Sequence, residues 1–190
     1  MPPSYQKPAA MCILIDQETI LNEESNASLA VLAGAMVNAN IGLICLGNGG
    51  RLITQIAAAI RSLNGHITCI TTVSQPVNRD LLRLADAVVT SGDFHDCKME
   101  IFRRSSSLLV IPGGLVIFDI LMEYLTWMQR VFYKKPVFIV ESGTSWKSFS
   151  AILDRMEQEQ FMPANFKDRY TLVASLAEAA FYIKSKAASL

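Results

Sequence analysis

The fold of this chain is decided by the stretch Ile111-Pro112-Gly113-Gly114-Leu115-Val116-Ile117-Phe118-Asp119-Ile120-Leu121. An aliphatic run ends at Pro-Gly-Gly, and an apolar segment of helical length follows at once. Glycines in such a turn let the backbone approach an anion at the start of the helix, as in nucleotide-binding α/β proteins. The stretch therefore predicts a strand, an anion-binding turn and a helix.

Short apolar runs alternate with helical patterns along the rest of the chain. Most of the runs are continuous in Val, Ile and Leu, which is typical of parallel strands covered on both faces. Regular strand–helix alternation predicts an α/β fold, a single Rossmann-like three-layer domain with a parallel doubly wound sheet. Strands are predicted at residues 11–15, 41–46, 66–72, 86–90, 107–111, 136–141 and near 170–173, and helices at 25–37, 52–63, 94–104, 115–133, 145–160 and 175–186, with a short helix or turn at 78–84.

The totals limit the classes of protein to consider. The 190 residues are 51% hydrophobic and 18% charged, which suits one compact domain. We expect residues 1–10 to be a flexible N-terminal tail and residues 11–190 to form the domain. The formal net charge is zero and no long basic run occurs, which argues against nucleic-acid binding.

Neither a membrane nor a metal is expected as a partner. The longest apolar stretch is interrupted by Pro-Gly-Gly and is too short to span a bilayer, and the N-terminus lacks the apolar core of a signal peptide. Four cysteines occur without a CxxC pair, and the two histidines are not spaced as metal ligands. These features predict a cytoplasmic protein with reduced cysteines, no metal and no cofactor.

A first glycine loop, Gly47-Asn48-Gly49-Gly50-Arg51, joins the second predicted strand to its helix. Its spacing is not the GxGxxG dinucleotide fingerprint, which disfavours NAD. One interpretation is a phosphate site, in which Arg51 at the helix start is explained by a bound anion. The alternative is a tight turn that needs glycine for positive φ. Pro112, Gly113 and Gly114 repeat the arrangement after the fifth strand, and the two loops together favour an anionic ligand.

The order of these motifs resembles the Lonely Guy family of lysine decarboxylase-like proteins. The resemblance covers about residues 11–183. It rests on strand–GxGG–helix, a DxxxxK segment, strand–PGG–helix, the segment Leu125-Thr126-Trp127-Met128-Gln129, and Lys135-Pro136-Val137. It implies a Rossmann-like fold, a dimer or larger assembly, and cleavage of nucleoside 5′-monophosphates, including cytokinin ribotides, to a free base and ribose 5-phosphate.

The chain departs from the family's PGGxGTxxE motif. Val116, Ile117 and Ile120 stand where the motif has its third Gly, its Thr and its Glu, and Cys97 stands where an Arg precedes the Lys. The Gly-Ser after the first strand is replaced by Asp16-Gln17. Because a carboxylate stabilises the oxocarbenium-like state of glycosidic cleavage and Arg grips an anionic substrate, we expect this reaction to be lost or altered.

Other residues are candidates to replace the missing groups. Glu123 lies one turn after Ile120, and Lys98 and Arg51 could hold a phosphate. The alternatives are a solvated or dimer-contact Glu123 and a surface Lys98. His95 as a general base and Cys97 as a nucleophile are weaker hypotheses, since Cys97 would need a low thiol pKa.

Three functions remain open. The first is a protein that binds a nucleotide or another phosphorylated ligand without phosphoribohydrolase activity; the second is a phosphoribohydrolase with altered catalytic residues, Glu123 and Lys98. The third is a structural dimer with a vestigial pocket. The apolar character of the helix at residues 115–133 on nearly all sides predicts a homodimer interface.

Overall fold

The computed structural model describes residues 9–17, 23–130, 135–141, 147–162 and 166–187. In these segments strands alternate with helices, as predicted. The strands are β1 (Ala10–Leu14), β2 (Gly42–Leu46), β3 (Ile67–Thr72), β4 (Ala87–Ser91), β5 (Ser107–Val110), β6 (Val137–Val140) and β7 (Thr171–Val173). The helices are α1 (Glu23–Asn38), α2 (Arg51–Ser62), α3 (Arg79–Leu84), α4 (Phe94–Arg104), α5 (Leu115–Arg130), α6 (Lys147–Gln158) and α7 (Leu176–Ala187).

The strands form one parallel sheet in the order β4-β3-β2-β1-β5-β6-β7. The chain winds from β1 outward to β4 and then returns to the other side of β1 to form β5. The winding therefore reverses between β1 and β5. In open α/β sheets the crevice beyond the carboxyl ends of two such strands is where ligands bind. The predicted Rossmann-like, doubly wound fold is confirmed.

Helices cover both faces of the sheet. Side chains of α1, α2 and α7 form one hydrophobic core, and those of α4, α5 and α6 form the other. Successive residues of β1 alternate between the two, with Met11 and Ile13 in the first core and Cys12 and Leu14 in the second. This double burial explains why β1 and the other inner strands are mostly continuous apolar runs instead of alternating with polar residues.

The apolar flanks of α5 are covered largely within one chain. The Phe102 ring of α4 lies 4.9 Å from Trp127, and the Phe149 ring of α6 lies 5.8 Å from Phe118, both centroid to centroid. A partner subunit is therefore not needed to explain those flanks, and the homodimer stays a prediction. Among the described side chains of α5, the exposed large apolar ones lie at the start of the helix, where Leu115 is 86% accessible.

A few boundaries differ from expectation. A 3₁₀ turn at Phe166–Arg169 was not predicted; there Arg169 Nη1 donates to the Met128 carbonyl near the end of α5. Residues 131–133, predicted as the end of the helix that starts at residue 115, and residues 1–8 of the predicted tail lie outside the described residues. Among the described helices, none combines the length and the apolar character that crossing a bilayer requires.

Candidate functional site

The Pro-Gly-Gly turn lies where the winding reverses, and it already holds a carboxylate. Asp16 follows β1, and its Oδ2 accepts a hydrogen bond of 2.8 Å from the backbone N–H of Gly114, which directly precedes α5. The first turn of α5 contains no acidic residue. Asp16 thus supplies from a distant part of the chain the negative charge that a helix start attracts.

Two glycines make room for this carboxylate. A Cβ on Gly113 would lie 2.7 Å from the Cβ of Asp16, and a Cβ on Gly114 would lie 2.9 Å from Asp16 Oδ2. Both distances are too short for a real side chain. The glycines predicted to admit a phosphate therefore admit, in this structure, an anion that belongs to the protein itself.

The first glycine loop packs against its own chain. A Cβ would lie 2.3 Å from Thr71 Cγ2 if built on Gly47, and 2.0 Å from the Gln17 carbonyl oxygen if built on Gly50. None of the loop glycines has the left-handed φ that the tight-turn alternative assumed. Glycine is needed here because neighbouring segments approach the loop too closely for a Cβ, and not because the backbone adopts a positive φ.

The start of α2 carries no negative side chain of its own. Its N-cap, Gly50, offers no side-chain hydrogen bond to the helix, and the first turn holds no acidic residue. Arg51 is exposed at this end, as the sequence predicted. Asn48 is half-buried beside it. A cation at the positive end of a helix dipole is unfavourable without a nearby anion, so the arrangement suits a negatively charged group.

Lys98 and Glu123, the two predicted catalytic residues, meet in the structure. Lys98 Nζ of α4 lies 2.5 Å from Glu123 Oε2 and 3.0 Å from Asp119 Oδ2, both on α5. Glu123 Oε2 is buried, so its ion pair with Lys98 is shielded from water. His95 Nδ1 approaches the other Glu123 oxygen at 3.7 Å.

These charges determine the protonation of Lys98. Burial alone would lower the pKa of Lys98, but the ion pairs with Glu123 and Asp119 outweigh it and raise the pKa above its ordinary value. A lysine held as a cation can bind an oxyanion, yet it cannot serve as a general base near neutral pH. Glu123 lies nine positions after Gly114, roughly 13 Å along an α-helix, so the cluster is separate from the glycine turn.

The positions where the chain departs from the family motif are mostly in the core. Cys97, Ile117 and Ile120 are buried, with exposures of 2% or less. Burial, together with the nearby Glu100, raises the pKa of the Cys97 thiol to about 11. The hypothesis of Cys97 as a nucleophile is therefore wrong for this structure, because a thiol with that pKa is protonated at neutral pH. Val116 differs, being half exposed.

A cavity of about 400 Å³ lies elsewhere, between the edge strand β4 and α4. None of the predicted site residues lines it. Within the described residues, no group of three His, Cys, Asp or Glu side chains is placed to hold a metal ion.

The candidate site is therefore the set of polar contacts between the ends of β1 and β5, where the winding reverses. Asp16 belongs to this set but was not among the site residues predicted from the sequence. Its position directly after β1 was the available signal.

Comparison with known proteins agrees with this architecture. Residues 53–183, more than half of the chain, match the model of the family described as Possible lysine decarboxylase. The chain belongs to this family. The resemblance inferred from the glycine loops is thereby confirmed. The site residues carried over from it, Glu123 and Lys98 as catalytic and the two loops as phosphate contacts, stay predictions.

Relatives within the family include enzymes that act on nucleotides. The chain is 27% identical over 131 residues to the cytokinin riboside 5′-monophosphate phosphoribohydrolase LOG2 of Arabidopsis thaliana, covering 69% of this chain and 62% of that protein. It is 25% identical to LOG4 of the same organism, over 70% of this chain and 62% of the relative. The chain thus spans about three fifths of the length of these curated relatives.

Solved structures share the fold at much lower identity. The molybdenum cofactor carrier protein of Chlamydomonas reinhardtii superposes with a TM-score of 0.69 at 11% identity, covering 96% of this chain and 99% of that one. The molybdenum cofactor binding protein of Rippkaea orientalis gives a TM-score of 0.66 at 12% identity, with the same coverage. At such identity the likeness shows the fold alone.

Proposed function

We propose that this protein binds a nucleotide or a related phosphorylated ligand and lacks the phosphoribohydrolase activity of its relatives. The observation that supports this most directly is the burial of Ile120, which is 1% exposed at the position of the motif's Glu. Cys97, at the position of the motif's Arg, is fully buried. Both side chains are part of the core shared by α4 and α5.

The loss of the carboxylate matters because of the reaction it serves. Cleavage of an N-glycosidic bond passes through an oxocarbenium-like state that a nearby carboxylate stabilises. An isoleucine offers no charge, and its surroundings are hydrocarbon. Removing such a group lowers rates by orders of magnitude, and here the cationic partner is missing too.

The binding half of the proposal rests on the start of α2. Its backbone amides have no side-chain cap, its first turn has no competing acid, and Arg51 adds a positive charge. These are the properties of a helix start that accepts a phosphate. The named activities of the relatives concern nucleoside monophosphates, and two proteins of the same fold are named for binding or carrying the molybdenum cofactor. The phosphate of a riboside 5′-monophosphate is the group that the start of α2 would bind.

One observation favours a second candidate, a phosphoribohydrolase with altered residues. Glu123 keeps a carboxylate on α5, with Lys98 Nζ 2.5 Å away and His95 next to it. A carboxylate with a cation and an imidazole could assist departure of a base. Against it stands the ion pair itself, because a carboxylate neutralised by lysine stabilises a developing positive charge less well.

The test measures binding and turnover on the same preparation. Mass spectrometry of the denatured, freshly purified protein identifies any retained nucleotide, and thermal shift is recorded with AMP, CMP and GMP. We expect a retained nucleotide or a shift, with no release of free base from AMP. Absence of both retention and shift contradicts the proposal and favours a vestigial pocket.

Base release would instead favour the second candidate, provided that it depends on Glu123. Glu123→Gln is compared with Glu100→Gln, because Glu100 is a similarly half-buried glutamate in salt bridges with Arg103 and Arg104 on α4. Activity lost only in Glu123→Gln would establish the altered enzyme. Activity lost equally in both variants would indicate a general effect on folding.

A further inference from the structure

We propose that Asp16 determines the charge selectivity of the site: its carboxylate takes the place of an oxyanion on the Pro-Gly-Gly turn, so this turn rejects a phosphomonoester. The ligand's phosphate is then directed to the start of α2 and Arg51. This inference deepens the proposed function and rests on it.

The geometry shows that the Asp16 carboxylate occupies the Pro-Gly-Gly turn. Asp16 Oδ2 lies 2.8 Å from the Gly114 nitrogen, the distance of a charge-assisted hydrogen bond. The two glycines of the turn leave no room for a Cβ beside this carboxylate. The backbone of the turn is therefore shaped around Asp16, and its amide is already satisfied. A phosphate oxygen could bond to that amide only after the carboxylate had left it.

The charge of Asp16 explains why the turn would reject a phosphomonoester. A phosphomonoester placed on the same turn would bring a dianion within a few ångströms of the Asp16 carboxylate. Like charges at that separation repel strongly wherever water is partly excluded, and Asp16 is half-buried. Placing a like charge in a site is a standard way to exclude a ligand.

The starts of α5 and α2 differ in charge. At α5 an acid sits on the amide of Gly114, whereas at α2 the first turn has no acidic residue and begins with Arg51. A ligand with one phosphate is therefore repelled at the start of α5 and attracted at the start of α2. At the repulsive end, Asp16 favours groups that donate hydrogen bonds, such as the hydroxyls of a sugar.

The competing explanation is that Asp16 only stabilises α5. Asp16→Asn separates the two roles, since the amide oxygen can still accept from Gly114 while the charge is gone. Asp16→Ala removes both the charge and the acceptor. Asp93→Asn is the matched control, because Asp93 is also a carboxylate at a helix start, accepting from the Asp96 N–H at 2.9 Å at the start of α4.

The experiment is isothermal titration calorimetry of the full chain with AMP and with adenosine. In both Asp16 variants we expect the Kd for AMP to fall about tenfold or more, equal to about 1.4 kcal/mol, with the Kd for adenosine changing less than about twofold. Asp93→Asn should bind AMP like the natural protein. If Asp16→Ala does not fold, Asp16→Asn still decides the question.

The outcomes separate this inference from the proposed function. AMP bound equally well by the natural protein and Asp16→Asn overturns the role of Asp16 and leaves the proposed function standing. AMP bound by Asp16→Asn but not by the natural protein supports the role of Asp16 and contradicts nucleotide binding by the natural chain. No binding of either ligand by any variant overturns both.

Discussion

Lys98 of α4 joins two acids of α5, with Glu123 Oε2 2.5 Å and Asp119 Oδ2 3.0 Å from its Nζ. The Lys98 and Glu123 side chains are only 13% and 21% accessible, whereas that of Asp119 is 54% accessible. The pair with Glu123 is therefore the less screened of the two contacts. It connects α4, which has Cys97 at the position of the motif's Arg, to α5, which has Ile120 at the position of the motif's Glu.

Replacing Glu123 by Gln should destabilise the protein by about 1–2 kcal/mol, because Lys98 then keeps only its exposed partner. The measurement is urea unfolding at several pH values. The pKa of Lys98 is raised in the folded protein, so the stabilisation is fully present below the ordinary value of 10.5 and is lost as the pH rises past the folded value. The gap between the two proteins should thus narrow above about pH 10.5. A gap of zero near neutral pH would show that the pair contributes nothing.

Replacing Ile120 by Glu, the acid of the family motif, should unfold the protein and not restore activity. The side chain is 1% exposed, and placing an unpaired carboxylate there costs about 3–5 kcal/mol or more. Leu115→Glu on the same helix is the control. Leu115 is exposed, and an acid in the first turn is favourable to the helix dipole. Thermal unfolding followed by circular dichroism compares the two, and equal midpoints would contradict the burial argument.

Replacing Gly50 by Ala should destabilise the protein by about 2 kcal/mol or more, because the new Cβ would meet the backbone of Gln17. Gly34→Ala provides the contrast. Nothing lies within 4 Å of a Cβ at Gly34, in the interior of α1, so alanine should stabilise the helix by about 0.5–1 kcal/mol. Chemical denaturation of the two variants measures the free energy of unfolding, which should fall for Gly50→Ala and rise for Gly34→Ala. Similar effects at the two glycines would mean that close packing is not the reason for Gly50.

The cysteines should be inert in the folded protein. All four are buried, and burial raises the pKa of both Cys12 and Cys97. The hydrogen bond with Cys45 lowers the pKa of Cys69, but the Cys69 sulfur is buried away from the reagent. Titration with a thiol-reactive dye at neutral pH should therefore detect almost no thiol in the native state and four in guanidinium chloride. Rapid labelling of Cys97 in the native state would reopen its interpretation as a nucleophile.

The fold could be predicted because its signals are local. The inner strands β1, β2, β5 and β6 are buried on both faces and so are almost continuously apolar, and the helices that follow have their own periodic patterns. The helix predicted at residues 94–104 is found at Phe94–Arg104. Asp93 caps its start by accepting a hydrogen bond from the backbone N–H of Asp96. The 3₁₀ turn at Phe166–Arg169 was missed because four residues carry too little periodicity to detect.

The site was only partly predictable. The spacing along α5 placed Glu123 one turn beyond Ile120, and the family pattern singled out Lys98, but neither shows that the two charges meet. The carboxylate on the glycine turn was missed because Asp16 and Gly114 are far apart in the chain, and a hydrogen bond between them depends on β1 and β5 being neighbours.

Sequence by itself determined the parallel α/β architecture, the position of both glycine loops and the absence of the motif's acid and cation from this chain, since these depend on residue type and on neighbours along the backbone. Only the tertiary structure decided what occupies those places. Strand order brings Asp16 onto the Gly114 amide, and helix packing buries Cys97 and Ile120 while pairing Lys98 with Glu123. Charge pairing and burial act through space, so they follow from the arrangement of the strands and helices and not from any one segment of the chain.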